Sequence, residues 1–179
     1  MNYVVSDKAS GPVFQLDDSP DYVRCFKPRN LHWGDPGTLE TVKTIAAHFA
    51  PRGYLIEVGN ITGPNRVNTY SQTHDGDNFD LAYPFADKGS GVHDMDGRSA
   101  TPYRTRPDAT RDDVDAIDYD RLHELLTVIV RQPLVISVLV GVNVHALLTE
   151  RRRDAIPRVG PWKVHEDHLH VNMKHTRVP

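Results

Sequence analysis

The sequence predicts an α+β fold, a single domain in which helices flank a mainly antiparallel sheet. Three segments carry apolar residues at helical spacing, and short segments of alternating or β-branched apolar residues lie between them. The 179 residues are 39% apolar and 25% charged, which is ordinary for a globular domain and excludes a disordered or fibrous chain. We therefore expect an irregular or edge-strand lead-in over residues 1–32 and one folded domain over residues 33–179.

The first helix is predicted over residues 38–49, where apolar side chains recur at helical spacing and a Pro-Arg-Gly sequence then stops the helix. Strands are predicted after it at 54–58 and 79–83. The second of these alternates large apolar residues with small or polar ones, which places Asp80 on the face away from the core.

The middle of the chain begins with a Gly-, Asp- and Pro-rich segment, 86–116, which has no sustained period. We expect it to be a long loop that borders the functional site. A second helix is predicted over 119–130, capped by Asp118. The almost continuous apolar segment 134–140 predicts a strand buried on both faces, and a third helix over 143–153 ends in arginines that suit the negative end of the helix dipole.

Charge and composition limit the classes of partner. The formal net charge of -3 argues against a nucleic-acid partner, because no basic excess is present to neutralise phosphates. We expect no membrane insertion, since no apolar run approaches the roughly 18 residues that a spanning helix needs. A single cysteine, Cys25, cannot form an internal disulfide. The oligomeric state is left open.

Histidines concentrate near the end of the chain. Four of the ten lie in the last fifteen residues, namely His165, His168, His170 and His175. The segment 168–173 alternates strictly, so His168 and His170 share one face of a predicted strand. Residues two apart on a strand advance roughly 6.5 to 7 Å, so both imidazoles can reach one pocket.

A metal site can be assembled from this strand and the earlier one. A hydrolytic zinc site takes three nitrogen or carboxylate ligands and keeps one position open, and His74, Asp80 and His170 can supply that set. His168 is then free to act as a general base. The zinc site would lie on one face of the sheet, with the helices on the other.

Simpler interpretations apply to most of the other histidines. An isolated His-x-His pair is more often an exposed polar face than a metal site, and the third histidine at position 165 is what favours a functional site here. Six histidines are assigned no function because they are scattered over predicted helices, loops and the tail: His32, His48, His93, His123, His145 and His175.

The segment 165–171, His-Glu-Asp-His-Leu-His-Val, resembles the His-x-x-His-x-His pattern of penicillin-insensitive murein endopeptidases. That family belongs to the zinc peptidases of the bacterial cell wall, which include lysostaphin and the D-Ala-D-Ala carboxypeptidases. The resemblance covers about residues 33 to 173 and is most specific in its downstream half. It implies a zinc metallopeptidase domain with His170 as a zinc ligand, His168 as general base and His165 as a second active-site histidine that hydrogen-bonds the developing oxyanion.

Upstream, the resemblance implies His74 and Asp80 as the other two zinc ligands. The family places its histidine seven positions before the aspartate, whereas His74 is six before Asp80. Gly76 keeps the expected position four before Asp80. Asp77 and His93 are therefore retained as alternative first ligands.

The resemblance implies a Zn²⁺-dependent endopeptidase that cleaves peptide cross-links of peptidoglycan, at the bond from D-alanine to diaminopimelate. On the same scaffold, a D-Ala-D-Ala carboxypeptidase or dipeptidase and an L-alanyl-D-glutamate endopeptidase remain open. An inactive, zinc-stabilised cell-wall-binding module is the alternative of another class. We expect action on the cell wall in the periplasm or outside the cell. Because residues 1–7 do not resemble a signal peptide, a phage-type endolysin released from the cytoplasm at lysis and a chain whose signal has been removed are both open.

Overall fold

The computed structural model describes residues 4–6, 11–25, 29–66, 74–85, 108–152 and 154–177. The strands in chain order are β1 (Val4–Ser6), β2 (Phe14–Gln15), β3 (Tyr22–Arg24), β4 (Trp33–Gly34), β5 (Ile56–Val58), β6 (Asn78–Ala82), β7 (Val135–Val140), β8 (Val159–Pro161), β9 (His168–Met173) and β10 (His175–Arg177). The α-helices are α1 (Pro36–Phe49), α2 (Arg111–Val114), α3 (Tyr119–Val130) and α4 (Val142–Arg152). The fold is α+β, as the sequence predicts.

Six strands form the main sheet, in the order β3-β5-β6-β9-β7-β8. The three inner pairings, from β5 through β6 and β9 to β7, are antiparallel, whereas the two edge strands pair in parallel. Two short antiparallel pairs, β1 with β10 and β2 with β4, lie outside this sheet. The sheet is therefore mixed but mainly antiparallel.

One face of the central strands is covered by the helices. The side chains of Phe79, Leu81, Leu169 and Val171 alternate along β6 and β9 and are fully buried. They belong to the same apolar cluster as the inward residues of α1, α3 and α4. Burial of this face provides the main driving force for folding, because each large apolar side chain removed from water contributes roughly 1.5–3 kcal/mol. The opposite face of β6 and β9 carries the polar residues.

The predicted helices α1, α3 and α4 are confirmed to within a few residues. Asp118 caps α3 as predicted, since its side chain accepts a hydrogen bond from the backbone N–H of Arg121 at 3.0 Å. At α4 the arrangement is different, because the first turn is capped by the distant Glu166 carboxylate, which accepts from the backbone N–H groups of Asn143 (3.0 Å) and Val144 (3.3 Å).

The lead-in predicted as irregular or an edge strand contains β3, which is an edge strand of the main sheet. Two details differ from the sequence predictions. The strand at 134–140 is not buried on both faces, because Ile136 is 50% exposed at a break in register between Val135 and Ser137. An extra residue in one strand of a pair is a bulge, and its side chain leaves the regular alternation. The segment predicted as a loop over 86–116 contains α2, and its residues 86–107 lie outside the described part of the chain.

Candidate metal centre

The centre is built on the pairing of β6 with β9. Asp80 lies directly opposite His170 in the antiparallel register, and Ala82 lies opposite His168. Because side chains two apart on a strand share a face, Asp80, His168 and His170 all project from the face away from the helices. The register of one strand pair thus brings together residues 90 positions apart in the chain.

His74 reaches the same place from the turn that precedes β6. Its backbone carbonyl accepts a hydrogen bond from the Thr62 hydroxyl at 2.9 Å, and the carbonyl of Gly76 accepts one from the Asp35 N–H at 2.8 Å. Gly76 has a φ of 110°, and a Cβ there would lie 2.8 Å from the Arg66 guanidinium. Only glycine adopts this backbone readily, so the turn that presents His74 depends on it.

Three imidazoles surround one oxygen of Asp80. Its Oδ1 lies 3.0 Å from Nδ1 of His170, 3.4 Å from Nε2 of His74 and 3.7 Å from Nε2 of His168. His74, Asp80 and His170 are all buried. Their ligand atoms lie within 4.8 Å of one another, so these three residues form a candidate metal-binding group.

The hydrogen bonds behind these residues assign the protons. Nδ1 of His74 lies 2.9 Å from the carbonyl oxygen of Ile61, which can only accept, so Nδ1 carries the hydrogen. The Asn172 amide nitrogen donates to the Ser137 hydroxyl at 3.1 Å, and the Asn172 amide oxygen, 3.2 Å from Nε2 of His170, accepts from that ring. The nitrogens that face Asp80 are therefore Nε2 of His74 and Nδ1 of His170, and the second of these is within hydrogen-bond distance of Oδ1 of Asp80 at 3.0 Å.

This donor set fits a zinc ion. One nitrogen of each ring and a carboxylate oxygen converge, and the far nitrogen of each ring is held by an oxygen acceptor, which is the usual outer arrangement of zinc-binding histidines.

Charge in the centre is consistent with metal binding. Burial raises the pKa of Asp80, but the histidines around it outweigh burial and bring its pKa to about 2. Burial lowers the pKa of His74, with His170 adding to the effect and Asp80 opposing it. At neutral pH the carboxylate is therefore ionised and the His74 ring is neutral, the states in which both bind metals.

His168 lies beside the candidate group and is held by Asp167. Its Nδ1 lies 2.6 Å from Oδ1 of Asp167, which is itself buried. Burial alone would lower the pKa of His168, but the carboxylates of Asp80 and Asp167 raise it above its ordinary value. A histidine oriented in this way by a carboxylate is suited to accepting and returning a proton near neutral pH.

His165 completes the cluster of histidines. Its ring centroid lies 4.7 Å from that of His168 and 5.7 Å from that of His170. Its Nδ1 lies 2.9 Å from the Lys163 carbonyl and so carries a hydrogen, which leaves Nε2 as an acceptor in the neutral ring. Burial, aided by the neighbouring His168 and His170, lowers the pKa of His165 and favours that neutral form.

Several supporting residues could not be recognised from the sequence. Tyr83 donates to the carbonyl of His165 at 2.8 Å and accepts from the N–H of Gly141 at 2.9 Å, which ties the histidine segment to the start of α4. Such contacts join residues far apart in sequence and have no local signal. Asp167 is an exception, because its position directly before His168 is a local signal that can be seen in the sequence.

The two alternative first ligands have different outcomes. Asp77 does not join the group around Asp80; it lies with Asp75 and His175 in a second group. His93 lies outside the described residues.

A scan of the chain against protein-family models finds no matching model, and a search of curated proteins finds no matching sequence. Among the described residues, no helix combines the length and the apolar character needed to cross a membrane.

Proposed function

We propose that the protein is a zinc-dependent peptidase that hydrolyses peptide cross-links of bacterial peptidoglycan. The observation that carries the proposal is the convergence of His74 and His170 on the ionised Asp80, with the carboxylate-held His168 alongside. The substrate class rests on the resemblance of residues 165–171 to the murein endopeptidases, and so does the choice of the D-alanyl to diaminopimelate bond.

His74, Asp80 and His170 would hold the zinc. When bound there, zinc supplies Lewis acidity, which polarises a scissile carbonyl and makes water easier to deprotonate. Ile61 and Asn172 hold the outer nitrogens of the two rings, so that the inner nitrogens face Asp80. The ligand geometry is thus set in advance by hydrogen bonds that do not involve the metal.

His168 is the proton carrier in this proposal. Asp167 fixes Nδ1, so Nε2 is the atom that takes a proton from the attacking water and returns it to the nitrogen of the leaving amine. The Asp167 carboxylate stabilises the ring while it is charged, as the acidic member of a catalytic triad does. Asp167 is a positioning residue and not a catalytic one.

His165 has a different role from the oxyanion donor that the resemblance implies. In the neutral tautomer held by the Lys163 carbonyl, Nε2 accepts a hydrogen bond and cannot donate one to an oxyanion. We assign it to accepting an N–H from the substrate. Two exposed apolar side chains precede it in the chain, Trp162 (58% exposed) and Val164 (61% exposed), and these can pack against the peptide.

The decisive experiment compares the wild-type protein with His168→Ala on purified sacculi, after the zinc content of each has been measured. We expect the wild type to release soluble muropeptides and the variant to retain zinc but lose about 100-fold or more in rate, the usual contribution of a general base. His48→Ala, an exposed histidine on α1, is the matched control and should keep full activity.

Each other outcome has a definite meaning. Fragment termini will distinguish endopeptidase from carboxypeptidase, dipeptidase or L-alanyl-D-glutamate cleavage. Zinc retention with binding to sacculi but no release would contradict the enzyme and favour the cell-wall-binding module, for which the altered His74 spacing is the motivating observation. Full activity in His168→Ala would contradict the assignment of the base.

A further inference from the structure

A second group of ionisable side chains takes no part in the proposed catalysis. Asp75 and Asp77 lie in the turn after His74, and His175 lies on β10, about 100 positions later in the chain. One ligand atom from each lies within 4.8 Å of the others. Nδ1 of His175 is 2.9 Å from Oδ2 of Asp77.

Asp77 is the observation that points to a ligand. The residue is only 6% exposed, and its Oδ1 is buried with no hydrogen-bond partner among the described residues. Nδ1 of His175 is also buried, and its 2.9 Å contact with Oδ2 of Asp77 does not have hydrogen-bond geometry. A buried carboxylate oxygen without a donor is costly, so a native structure normally supplies a partner such as water or an ion.

The partner that fits is a cation. The carboxylates of Asp75 and Asp77 lie within 4.8 Å of each other, and two like charges at that distance repel each other. Either a shared proton or a metal ion relieves that repulsion. A shared proton gives Nδ1 of His175 no hydrogen bond, whereas a metal can be held by all three side chains.

We propose that Asp75, Asp77 and His175 form a second metal site, which binds a divalent transition cation of the Zn²⁺ or Mn²⁺ class. Two carboxylate oxygens with one imidazole nitrogen are a ligand set typical of these ions, and the imidazole disfavours Mg²⁺ and Ca²⁺.

The role of this ion is structural. It joins β10 to the turn that presents His74 and Gly76. The same junction is already held by Asp35, whose Oδ2 accepts from the Thr176 N–H at 3.2 Å and whose own N–H donates to the Gly76 carbonyl at 2.8 Å. A metal at the second site would add a further connection and so hold the position of His74.

The test is metal stoichiometry of the metal-stripped full chain, titrated with Zn²⁺ and in parallel with Mn²⁺ at neutral pH. We expect two equivalents of Zn²⁺ in the wild type. Asp77→Asn should lose one equivalent, His170→Ala should lose the other, and the double variant should bind none. His175→Gln is the second variant for the new site, in case Asp77→Asn fails to fold.

The second site would be overturned if the wild type bound one equivalent of Zn²⁺ that is lost in His170→Ala and kept in both Asp77→Asn and His175→Gln. It would also be overturned by two equivalents that both second-site variants retain. Because the readout is stoichiometry in separate variants, failure of this site is distinguishable from failure of the peptidase, which is judged by muropeptide release and the His170 equivalent.

Discussion

At the scale of single residues, Asp80 is the most constrained side chain of the candidate centre. It is buried, ionised and approached by three imidazoles. An ionised carboxylate in such a position is stabilised by its partners and destabilised by its removal from water. The partners outweigh burial here, and the pKa of Asp80 therefore falls to about 2. Asp80 therefore makes the stability of the metal-free protein depend on pH.

We expect the metal-free protein to lose about 2 kcal/mol of unfolding free energy through Asp80 as the pH falls from about 4 to about 2. The pKa is lower in the folded chain than the ordinary 3.8, so the unfolded chain binds the proton first and acid favours unfolding. Urea denaturation of wild type and Asp80→Asn with chelator present, at neutral pH and at acid pH, measures the difference. An equal loss in both proteins would show that another group is responsible.

At the scale of elements, the site depends on how α4 begins. The Glu166 carboxylate caps the first turn of α4 from the segment that carries the histidines, and Gly141 lies immediately against it. A Cβ at Gly141 would lie 2.8 Å from the Glu166 Cα and would collide with the carboxylate itself. The absence of a side chain at this position lets the histidine segment and the helix approach each other.

Gly141→Ala should therefore destabilise the fold by about 1–3 kcal/mol, the usual effect of forcing an extra methyl group into a packed contact. The matched control is Gly160→Ala on β8, where a Cβ would meet nothing within 4 Å and the change should be within about 0.5 kcal/mol. Chemical denaturation of the two variants beside the wild type measures both. Equal effects would mean that the Glu166 contact is not tight in solution.

At the scale of the whole molecule, metal binding should be coupled to folding. The ligands of the first group come from a turn and two different strands, and they are brought together only in the folded chain. An ion bound by the folded state and not by the unfolded chain stabilises the protein by mass action, about 2.7 kcal/mol when the free ion is at 100 times its dissociation constant.

We expect a strong chelator to lower the melting temperature of the zinc-loaded protein and added zinc to restore it. In His170→Ala the zinc-dependent change should shrink, while His48→Ala should respond as the wild type does. Differential scanning calorimetry at fixed protein and zinc concentrations measures these changes. A melting temperature that is insensitive to chelator in the wild type would show that zinc is not bound by the folded state.

The sequence by itself determined the α+β class, the three long helices and the strands that carry Asp80, His168 and His170. Those features follow from the periodic spacing of apolar residues, from the Asp118 cap and from turn residues, all of which act over a few neighbouring positions. The spacing of the three downstream histidines is equally local, so the alternation of β9 could be read directly from residues 168–173.

Only the tertiary structure decided which residues distant in the sequence lie next to one another. Strands of two or three residues, such as β2 and β10, are too short to show a period, and the Ile136 bulge arises from pairing rather than from its own sequence. The approach of His74 to Asp80, the Glu166 cap of α4 and the meeting of Asp77 with His175 all depend on long-range packing. His175 shows this most clearly, since it has no functional signal in the sequence and acquires one only where folding places it against the carboxylates of Asp75 and Asp77.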